Sequence, residues 1–299
     1  MSPITVPAPA KLNLFLHITG QRDNGYHDLQ TLFQFITLHD QLTFEPLQDD
    51  TIIVCNSKLS HKAAEHIHQE DNLIYKAAKA LLPFRTNQTG VQIECDKQIP
   101  SGAGLGGGSS DAATTLLVLN ELWNCQRTND QLKEIGLKLG ADVPIFIHGQ
   151  AAFAEGVGEN LTAVEVNEPW YVIIKPNAHI STAEIFSHPD LTRNTSPITI
   201  SAALKQGGHN DCEKVVRKLY PDVDIAMNWL SQFSPAKLTG TGACVFAEFS
   251  EQQQADEIAK RYRQQGKAFE DSVYVAQGIN DNPAHRALRE QIDLANALS

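Results

Sequence analysis

The sequence is poor in the features that mark secreted, metal-binding and membrane-spanning proteins. Its five cysteines are widely spaced without a CxxC pair, and its eleven histidines show no ligand spacing, so neither disulfides nor a metal site is predicted. No apolar run approaches the roughly 20 residues that a membrane helix needs. The segment 1–7 has neither the basic start nor the apolar core of a signal peptide. We therefore expect a cytoplasmic protein with reduced thiols and no membrane partner.

Positive charge is also scarce. The chain has 24 lysines and arginines against 35 aspartates and glutamates, which gives a formal net charge of −11 at pH 7. This balance argues against nucleic acid as a partner, because polyanions select a net basic surface. A hydrophobic content of 42% over 299 residues is typical of a globular protein with one large or two ordinary domains. An anionic ligand would therefore need a locally positive site.

A glycine-rich segment, here called the glycine loop, joins a strand predicted over 90–95 to a helix predicted over about 109–122. Its residues are Pro100, Ser101, Gly102, Ala103, Gly104, Leu105, Gly106, Gly107, Gly108, Ser109 and Ser110. Glycines let backbone N–H groups turn toward an anion, and the start of the helix adds unpaired N–H groups and the positive end of its dipole. The segment predicts a phosphate-binding loop.

By itself this loop fits several classes of protein. Gly102, Gly104 and Gly107 match the G-x-G-x-x-G pattern of dinucleotide-binding folds and of protein kinases, and a turn that only caps a helix is a third reading. A dinucleotide-binding fold needs a second parallel strand after the helix. The chain instead enters another helix, predicted over about 129–139 with Thr128 and Gln131 as its capping box. A Walker loop is excluded because no Gly-Lys-Ser or Gly-Lys-Thr follows the glycines.

Three further segments place polar residues against apolar runs. Lys11 and Asn13 interrupt a strand predicted over 10–20, where a lysine could also protect a sheet edge. Asp142 stands between a helix end and an apolar run, 143–146, that is predicted to be strand-like, although an aspartate in a turn is the plain alternative. Gly240-Thr241-Gly242, here called the late turn, interrupts a strand predicted over 237–249 and could be only a bulge.

The predicted elements divide the chain into two α+β regions. Residues 1–163 contain strands and one helix, predicted from Asp71 to about Leu82, before the glycine loop and helices after it, in mixed α/β order. Strands and helices are also predicted over residues 164–299, and their order favours an α+β sandwich. A last helix is predicted from Pro283. We see no repeat or low-complexity linker between them. Two domains that pack closely and share a cleft are therefore predicted.

In this order the four segments resemble the motifs of the GHMP kinases, small-molecule kinases named for galactose, homoserine, mevalonate and phosphomevalonate. Lys11-x-Asn13, the glycine loop and the late turn are similar to the three superfamily motifs in their usual sequence. The resemblance covers nearly the whole chain. It implies the two-domain GHMP kinase fold, with an N-terminal ATP-binding domain, a C-terminal α+β sandwich domain and the active site in the cleft between them.

Longer strings resemble one branch of that superfamily. They are Arg22-x-Asn24-Gly25-Tyr26-His27-Asp28, Gly140-Ala141-Asp142-Val143-Pro144 and Ala154-Glu155-Gly156-Val157-Gly158-Glu159. The resemblance implies transfer of the γ-phosphate of ATP, with Mg²⁺, to the tertiary 2-hydroxyl of a cytidine-diphosphate-linked methylerythritol, a step of the non-mevalonate isoprenoid pathway. It implies a monomer or weak homodimer with a small-molecule substrate.

The resemblance also implies a role for each candidate residue. Asp142 would act as the general base, and Lys11 would stabilise the alkoxide and the transferring phosphoryl group. The glycine loop and Lys97 would bind the nucleotide, with no side chain assigned to the metal. Five residues would bind the acceptor: Tyr26 and Phe186 by stacking on the cytosine, His27 at its polar edge, and Asn13 and Thr182 on the remainder.

Three other functions stay open on the sequence. Another GHMP kinase, acting on mevalonate, homoserine or a sugar, would carry the same loop. A nucleotide-binding regulator without catalysis and an NAD-dependent enzyme are the other two. Tyr26 and His27 favour an acceptor that bears a pyrimidine, and retention of Lys11 with Asp142 favours catalysis.

Overall fold

The computed structural model describes residues 3–23, 25–56, 69–264 and 271–297. Asn24, which belongs to one of the strings above, lies outside the described residues, as does the final part of the predicted C-terminal segment. Within the described ranges, no helix is long and apolar enough to cross a membrane.

Two long antiparallel strands form the centre of the sheet. They are β1 (Ile4–Gln21) and β2 (His27–Leu47), paired in a register that places Lys11 opposite Phe35 and Asn13 opposite Phe33. The register shifts between Asn13 and Leu16, where an irregularity in β1 lies next to its polar residues. Among the described strands β1 pairs only with β2, but Lys11 is 2% exposed, so this lysine is not a solvated charge that protects a sheet edge.

The other strands described extend this centre on both sides. They are β3 (Ile52–Asn56), β4 (Gly90–Asp96), β5 (Ala152–Gly156), β6 (Asn160–Ala163), β7 (Trp170–Lys175), β8 (Lys237–Leu238), β9 (Val245–Phe249) and β10 (Ser272–Ile279). The sheet order is β3-β4-β2-β10-β7-β9-β8, with β1 and β5 also paired to β2 and β6 paired to β5. Because β10 pairs with both β2 and β7, one sheet runs through both halves of the chain.

Helices cover this sheet in two groups. The helices described are α1 (Leu73–Leu81), α2 (Gly107–Leu122), α3 (Asn129–Leu139), α4 (Val143–His148), α5 (Thr182–Ser187), α6 (Ile200–Gln206), α7 (Glu213–Leu219), α8 (Pro221–Leu230), α9 (Gln252–Gln264) and α10 (Pro283–Ala297). Thr128 and Gln131 form the predicted capping box at the start of α3.

Each half of the chain has its own buried core. The first packs α1 to α4 against β1, β2 and β4, with Trp123 and Phe146 fully buried. The second packs α7, α8 and α9 against β7 and β9. Leu288 of α10 joins the first core, so the last helix lies on the N-terminal half. The mixed α/β fold of two α+β regions is as predicted, and the boundary at residues 163/164 stays a prediction.

Several predicted elements differ in detail. The apolar run 143–146 is helix rather than strand, because Asp142 precedes a helix start with Pro144 in its first turn, where a missing N–H costs nothing. The strand predicted over 237–249 is two strands separated by the late turn. Helix α2 begins at Gly107, two residues before the predicted start. The short helices α5 and α6 and the hairpin of β5 with β6 were not predicted.

Candidate active site

A cavity of about 310 Å³ lies between the middle of β1, the glycine loop and the late turn. Eight of the predicted site residues line it: Lys11, Asn13, Gly102, Gly104, Ser109, Asp142, Thr182 and Phe186. Thr31 of β2 and Thr241 of the late turn also line it. Segments that are far apart in the sequence therefore meet at one concave surface.

Lys11 is the buried cation of this surface. Its side chain is 3% exposed, and its Nζ lies 3.1 Å from Asp142 Oδ2. The same Nζ donates to Asn13 Oδ1 at 2.6 Å and to the Gly104 carbonyl at 3.1 Å. Three oxygen partners match the three N–H donors of an ammonium group, which is the condition for burying such a charge. The lysine is held in one position facing the cavity.

Asp142 is the anion of this pair and is more accessible. Its side chain is 35% exposed, and it makes no capping hydrogen bond to the helix that it precedes. A carboxylate directly before a helix normally accepts a hydrogen bond from an N–H group of the first helical turn. Here the carboxylate instead faces Lys11 and the cavity. It is thus placed to accept a proton from a bound molecule.

Asn13 links Lys11 to the neighbouring strand and to the late turn. Its Nδ2 donates to Thr31 Oγ1 at 2.9 Å, which leaves Oδ1 to accept from Lys11. Its backbone N–H donates to Thr239 Oγ1 at 3.0 Å. Thr239 is fully buried and directly precedes the late turn. The polar pair of β1 is therefore part of a buried network.

The glycine loop packs closely against this network. Gly102, Gly104 and Gly106 have φ of +62°, +73° and +73°, in the left-handed region that favours glycine. A Cβ on Gly104 would lie 2.5 Å from the Thr239 carbonyl oxygen, so no larger residue fits there. Backbone hydrogen bonds from Lys11 to Leu105 and from Cys244 to Ala103 join the loop to β1 and to the segment after the late turn.

The start of α2 presents the predicted anion-binding groups. Its first intrahelical bond is Ser110 N–H to the Gly106 carbonyl, so the N–H groups of 107–109 precede the helical ladder. The structure separates the two serines: Ser109 lines the cavity, whereas Ser110 is fully buried and its Oγ has no partner among the described residues. Ala103 and Leu105 are buried beneath the cavity.

Lys97 lies next to the glycine loop in an ion triad whose two carboxylates are buried, while its own side chain is 29% exposed. Its Nζ contacts Asp40 Oδ2 at 2.5 Å and Asp111 Oδ2 at 2.7 Å. Burial would lower the pKa of Lys97, but the Asp111 and Asp40 carboxylates raise it above its usual range. Burial raises the pKa of Asp111, against the opposing charge of Lys97. Asp40 also accepts the backbone N–H groups of 98 and 99, so the triad joins β2, the loop entry and α2.

The late turn is held from outside by Asn210. Its Nδ2 donates to the carbonyls of Leu238 and Gly240 at 2.9 and 2.8 Å. Thr241 Oγ1 lies 2.9 Å from Thr182 Oγ1, which connects the turn to the first residue of α5. The turn is therefore a fixed wall of the cavity rather than a bulge inside one strand.

The aromatic residues predicted for the acceptor lie near one another. The His27 and Phe186 rings are stacked, with centroids 5.0 Å apart. Tyr26, the other residue predicted to stack, is 63% exposed, and the ring found against Phe186 is that of His27. Burial, followed by the charge of Arg193, lowers the pKa of His27. A neutral histidine against an aromatic ring is compatible with recognition of a base.

Sequence reasoning missed four polar residues of this region: Thr31, Arg193, Asn210 and Thr239. Thr239 could have been found, because a polar residue directly before a glycine turn often supports it. The other three act across the fold and have no local signal. Among the described residues, no group of three or more histidine, cysteine or acidic side chains is arranged to hold a metal ion.

The fold and the cavity define a kinase of the GHMP class. The family model described as the GHMP kinases N terminal domain matches residues 72–150, and the model described as GHMP kinases C terminal matches residues 190–268. A crystal structure of a mevalonate kinase has a TM-score of 0.67 at 18% identity over 94% of this chain and 100% of its own, and shows the shared fold.

Curated relatives narrow the class. A 4-diphosphocytidyl-2-C-methyl-D-erythritol kinase of Marinomonas sp. (strain MWYL1) is 49% identical over 98% of this chain and 93% of its own length. One of Mannheimia succiniciproducens is 50% identical over 97% of this chain and 92% of its own. A crystal structure of 4-(cytidine 5'-diphospho)-2C-methyl-D-erythritol kinase has a TM-score of 0.77 at 29% identity over 92% of this chain and 99% of its own. The chain therefore belongs to the 4-diphosphocytidyl-2-C-methyl-D-erythritol kinase family of the GHMP kinases.

Proposed function

We propose that this chain transfers the γ-phosphoryl group of Mg-ATP to the 2-hydroxyl of 4-(cytidine 5'-diphospho)-2-C-methyl-D-erythritol, giving the 2-phosphate and ADP in the non-mevalonate isoprenoid pathway. The observation that carries the proposal is the ion pair of Lys11 Nζ and Asp142 Oδ2 at 3.1 Å in the cavity. The same cavity is lined by the glycine loop and by Phe186, whose ring is stacked with that of His27.

Asp142 is the general base in this mechanism. A tertiary alcohol is a weak nucleophile at neutral pH, and a carboxylate in hydrogen-bond reach accepts its proton as the phosphorus is attacked. The bond from oxygen to phosphorus forms while the bond to the leaving ADP oxygen breaks. Lys11 stabilises the alkoxide and the phosphoryl oxygens. This stabilisation is the larger contribution, because the loose transition state of phosphoryl transfer demands little of the base.

The nucleotide is bound by the glycine loop and the start of α2. The N–H groups of 107–109 face the phosphates, and the helix dipole adds to their attraction. Lys97 lies beside the loop, where its ion pairs with Asp40 and Asp111 fix its position. From there its positive charge supports the nucleotide site.

Mg²⁺ fits this site as a companion of ATP. The Ser109 hydroxyl and the Asp142 carboxylate both line the cavity and are oxygen donors of the kind that Mg²⁺ prefers. Mg²⁺ is commonly held by one or two carboxylates together with substrate phosphates. Bound there, it would neutralise charge on the phosphates, and the Ser109 hydroxyl would hold it together with the phosphate oxygens, since Asp142 serves as the base.

A panel of acceptors tests the proposed reaction. ADP release is measured with Mg-ATP and, in turn, the cytidylyl acceptor, mevalonate, homoserine and galactose. We expect a large preference in kcat/KM for the cytidylyl acceptor. Turnover of mevalonate or homoserine in its place would refute this substrate, and loss of all ADP release would refute the kinase assignment.

Replacing the proposed general base Asp142 with asparagine distinguishes a catalytic role of this residue from a structural one. Asp142→Asn keeps the size of the side chain but removes its basicity, so kcat should fall by about 10² to 10⁴. Asp130→Asn is the matched control, because Asp130 lies on α3 with its side chain 86% exposed. Near-wild-type kcat in Asp142→Asn would remove this residue from the mechanism.

We also propose a cytoplasmic location and a monomeric or weakly dimeric state. Cys95, Cys125, Cys212 and Cys244 are buried thiols, and burial raises the pKa of each, which suits a reducing compartment. Light scattering across a concentration series measures the mass, and a stable tetramer would contradict this expectation.

A further inference from the structure

Arg193 connects the two aromatic residues on the predicted acceptor side. Its Nε donates to His27 Nε2 at 3.1 Å, and its Nη2 donates to the Phe186 carbonyl at 2.8 Å. The same guanidinium donates to the carbonyls of His188 at 2.9 Å and Leu191 at 3.1 Å. One side chain therefore bonds to both members of the stacked pair, at the ring of His27 and at the backbone carbonyl of Phe186.

The chemistry of guanidinium determines which nitrogen of His27 carries the proton. An arginine side chain has five N–H donors, no acceptor, and stays charged at all ordinary pH values. The His27 Nε2 atom that faces it must therefore be the bare, accepting nitrogen. The ring is then neutral with its proton on Nδ1. Burial and the charge of Arg193 lower the pKa of His27, in the same direction.

The same guanidinium fixes the end of α5. This helix ends at Ser187, and the last carbonyls of a helix have no intrahelical partner. Arg193 supplies donors and positive charge to the carbonyls of Phe186 and His188, which is favourable at the C-terminal end of a helix dipole. Phe186 lies in the last turn of α5 and lines the cavity. The position of its ring in the cavity therefore depends on how this helix end is held.

We propose that Arg193 is a positioning residue for acceptor recognition, which holds His27 as the neutral Nδ1–H tautomer and fixes the Phe186 ring stacked against it. The proposal rests on the proposed function in one respect, namely that the pyrimidine of the acceptor binds at these rings. A histidine in this tautomer offers one donor, at Nδ1. It can pair with an acceptor atom such as N3 or O2 of a cytosine, but it repels a base that presents a donor there.

The tautomer is measured first, without any substrate. A long-range ¹H–¹⁵N correlation spectrum of histidine-labelled protein, assigned with His27→Gln, reports which ring nitrogen bears the proton. We expect Nδ1–H in the wild type and a change toward the Nε2–H form or a mixture in Arg193→Met. A proton on Nε2 in the wild type would overturn the proposal. The wild-type measurement needs neither the Arg193→Met variant nor a substrate, so it decides the tautomer even if the variant does not fold.

Recognition is measured in the same proteins. Arg193→Met should raise KM for the cytidylyl acceptor about tenfold, while KM for ATP and kcat change by less than about threefold, since the positioning hydrogen bonds are lost but the reacting groups are intact. Arg193→Lys keeps the charge but not the fork of donors, and should show a smaller rise. An unchanged KM in both variants would overturn the proposal, as would an equal loss in kcat.

A matched control and a separate ligand keep the outcomes distinct. Arg217→Met removes an arginine with similar bonds to Glu213, Asp224 and Asn228, away from the cavity, and should leave KM unchanged. The Kd of cytidine 5'-diphosphate, measured by calorimetry, should rise in Arg193→Met but not in Arg217→Met. If no acceptor is phosphorylated, the proposed function fails alone, and the tautomer with this Kd still decides the role of Arg193.

Discussion

Gly104 is the position where a single added methyl group tests how the glycine loop is built. Its φ is +73°, and a Cβ there would lie 2.5 Å from the Thr239 carbonyl oxygen and 3.0 Å from that of Gly242. Both obstacles are backbone atoms, which cannot rotate away as a side chain does. In Gly104→Ala the loop must therefore shift away from the late turn.

The size of the effect follows from the bonds that such a shift breaks. The Gly104 carbonyl accepts from Lys11 Nζ at 3.1 Å and from Thr239 Oγ1 at 3.3 Å. A bond from a charged donor contributes about 1.5–3 kcal/mol and one from a neutral donor about 1 kcal/mol. Strain at positive φ adds about 1–2 kcal/mol. We expect a total loss of about 4–6 kcal/mol in the free energy of unfolding, together with a raised KM for ATP.

Gly207 supplies the control for the strain alone. It has φ of +67°, and an added Cβ would meet nothing within 4 Å. Because the ψ of Gly207 is −153°, alanine there is at least as strained as alanine in the left-handed region. Gly207→Ala therefore does not underestimate the cost of strain in Gly104→Ala. Urea denaturation of both variants gives the free energies. If Gly104→Ala is no less stable than Gly207→Ala and binds ATP as well as the wild type, the close approach of loop and turn does not hold.

Two further predictions concern buried polar groups of the same region. Because burial raises the pKa of Asp111 in the folded state, the folded protein binds more protons, and stability falls as pH rises above the unfolded value of about 4. Asp111→Asn should remove this decline, of up to about 1.4 kcal/mol per pH unit, in denaturation curves taken from pH 5 to 8, whereas a slope like that of the wild type would contradict it. Thr239→Val leaves the Asn13 N–H without its partner and removes one of the two donors to the Gly104 carbonyl, so it should cost about 2–3 kcal/mol of unfolding free energy. Thr239→Ser keeps both bonds and should retain most of the stability, and equal losses in the two variants would show that the methyl group matters rather than the hydroxyl.

Local sequence signals predicted the elements whose cause is local. Positive-φ glycines followed by a helix start are a backbone requirement that only glycine meets at low cost, so the glycine loop was visible without any contact information. The capping box of Thr128 with Gln131 was visible for the same reason. The run 143–146 was misread as strand, because a helix of six residues has too few turns to show its period.

The contacts that make the site come from the tertiary structure. Nothing near Lys11 in the sequence indicates that its Nζ will have three oxygen partners, two of them from the glycine loop and from the residue before α4. The same holds for Arg193, which lies in an irregular segment and acts on His27 at the start of β2. A hydrogen bond between distant segments depends on the path of the whole chain.

The sequence by itself determined the family, the phosphate-binding loop and the identity of the residues that the chemistry needs. Glycine conformations, helix caps and long matching strings are properties of neighbouring residues, so they can be recognised in the sequence without knowledge of the fold. Only the tertiary structure decided that Lys11 is buried, that Asp142 is uncapped and faces it, and that Arg193 stands behind His27 and Phe186. Burial and hydrogen-bond partners are set by packing between segments, which a linear pattern does not contain.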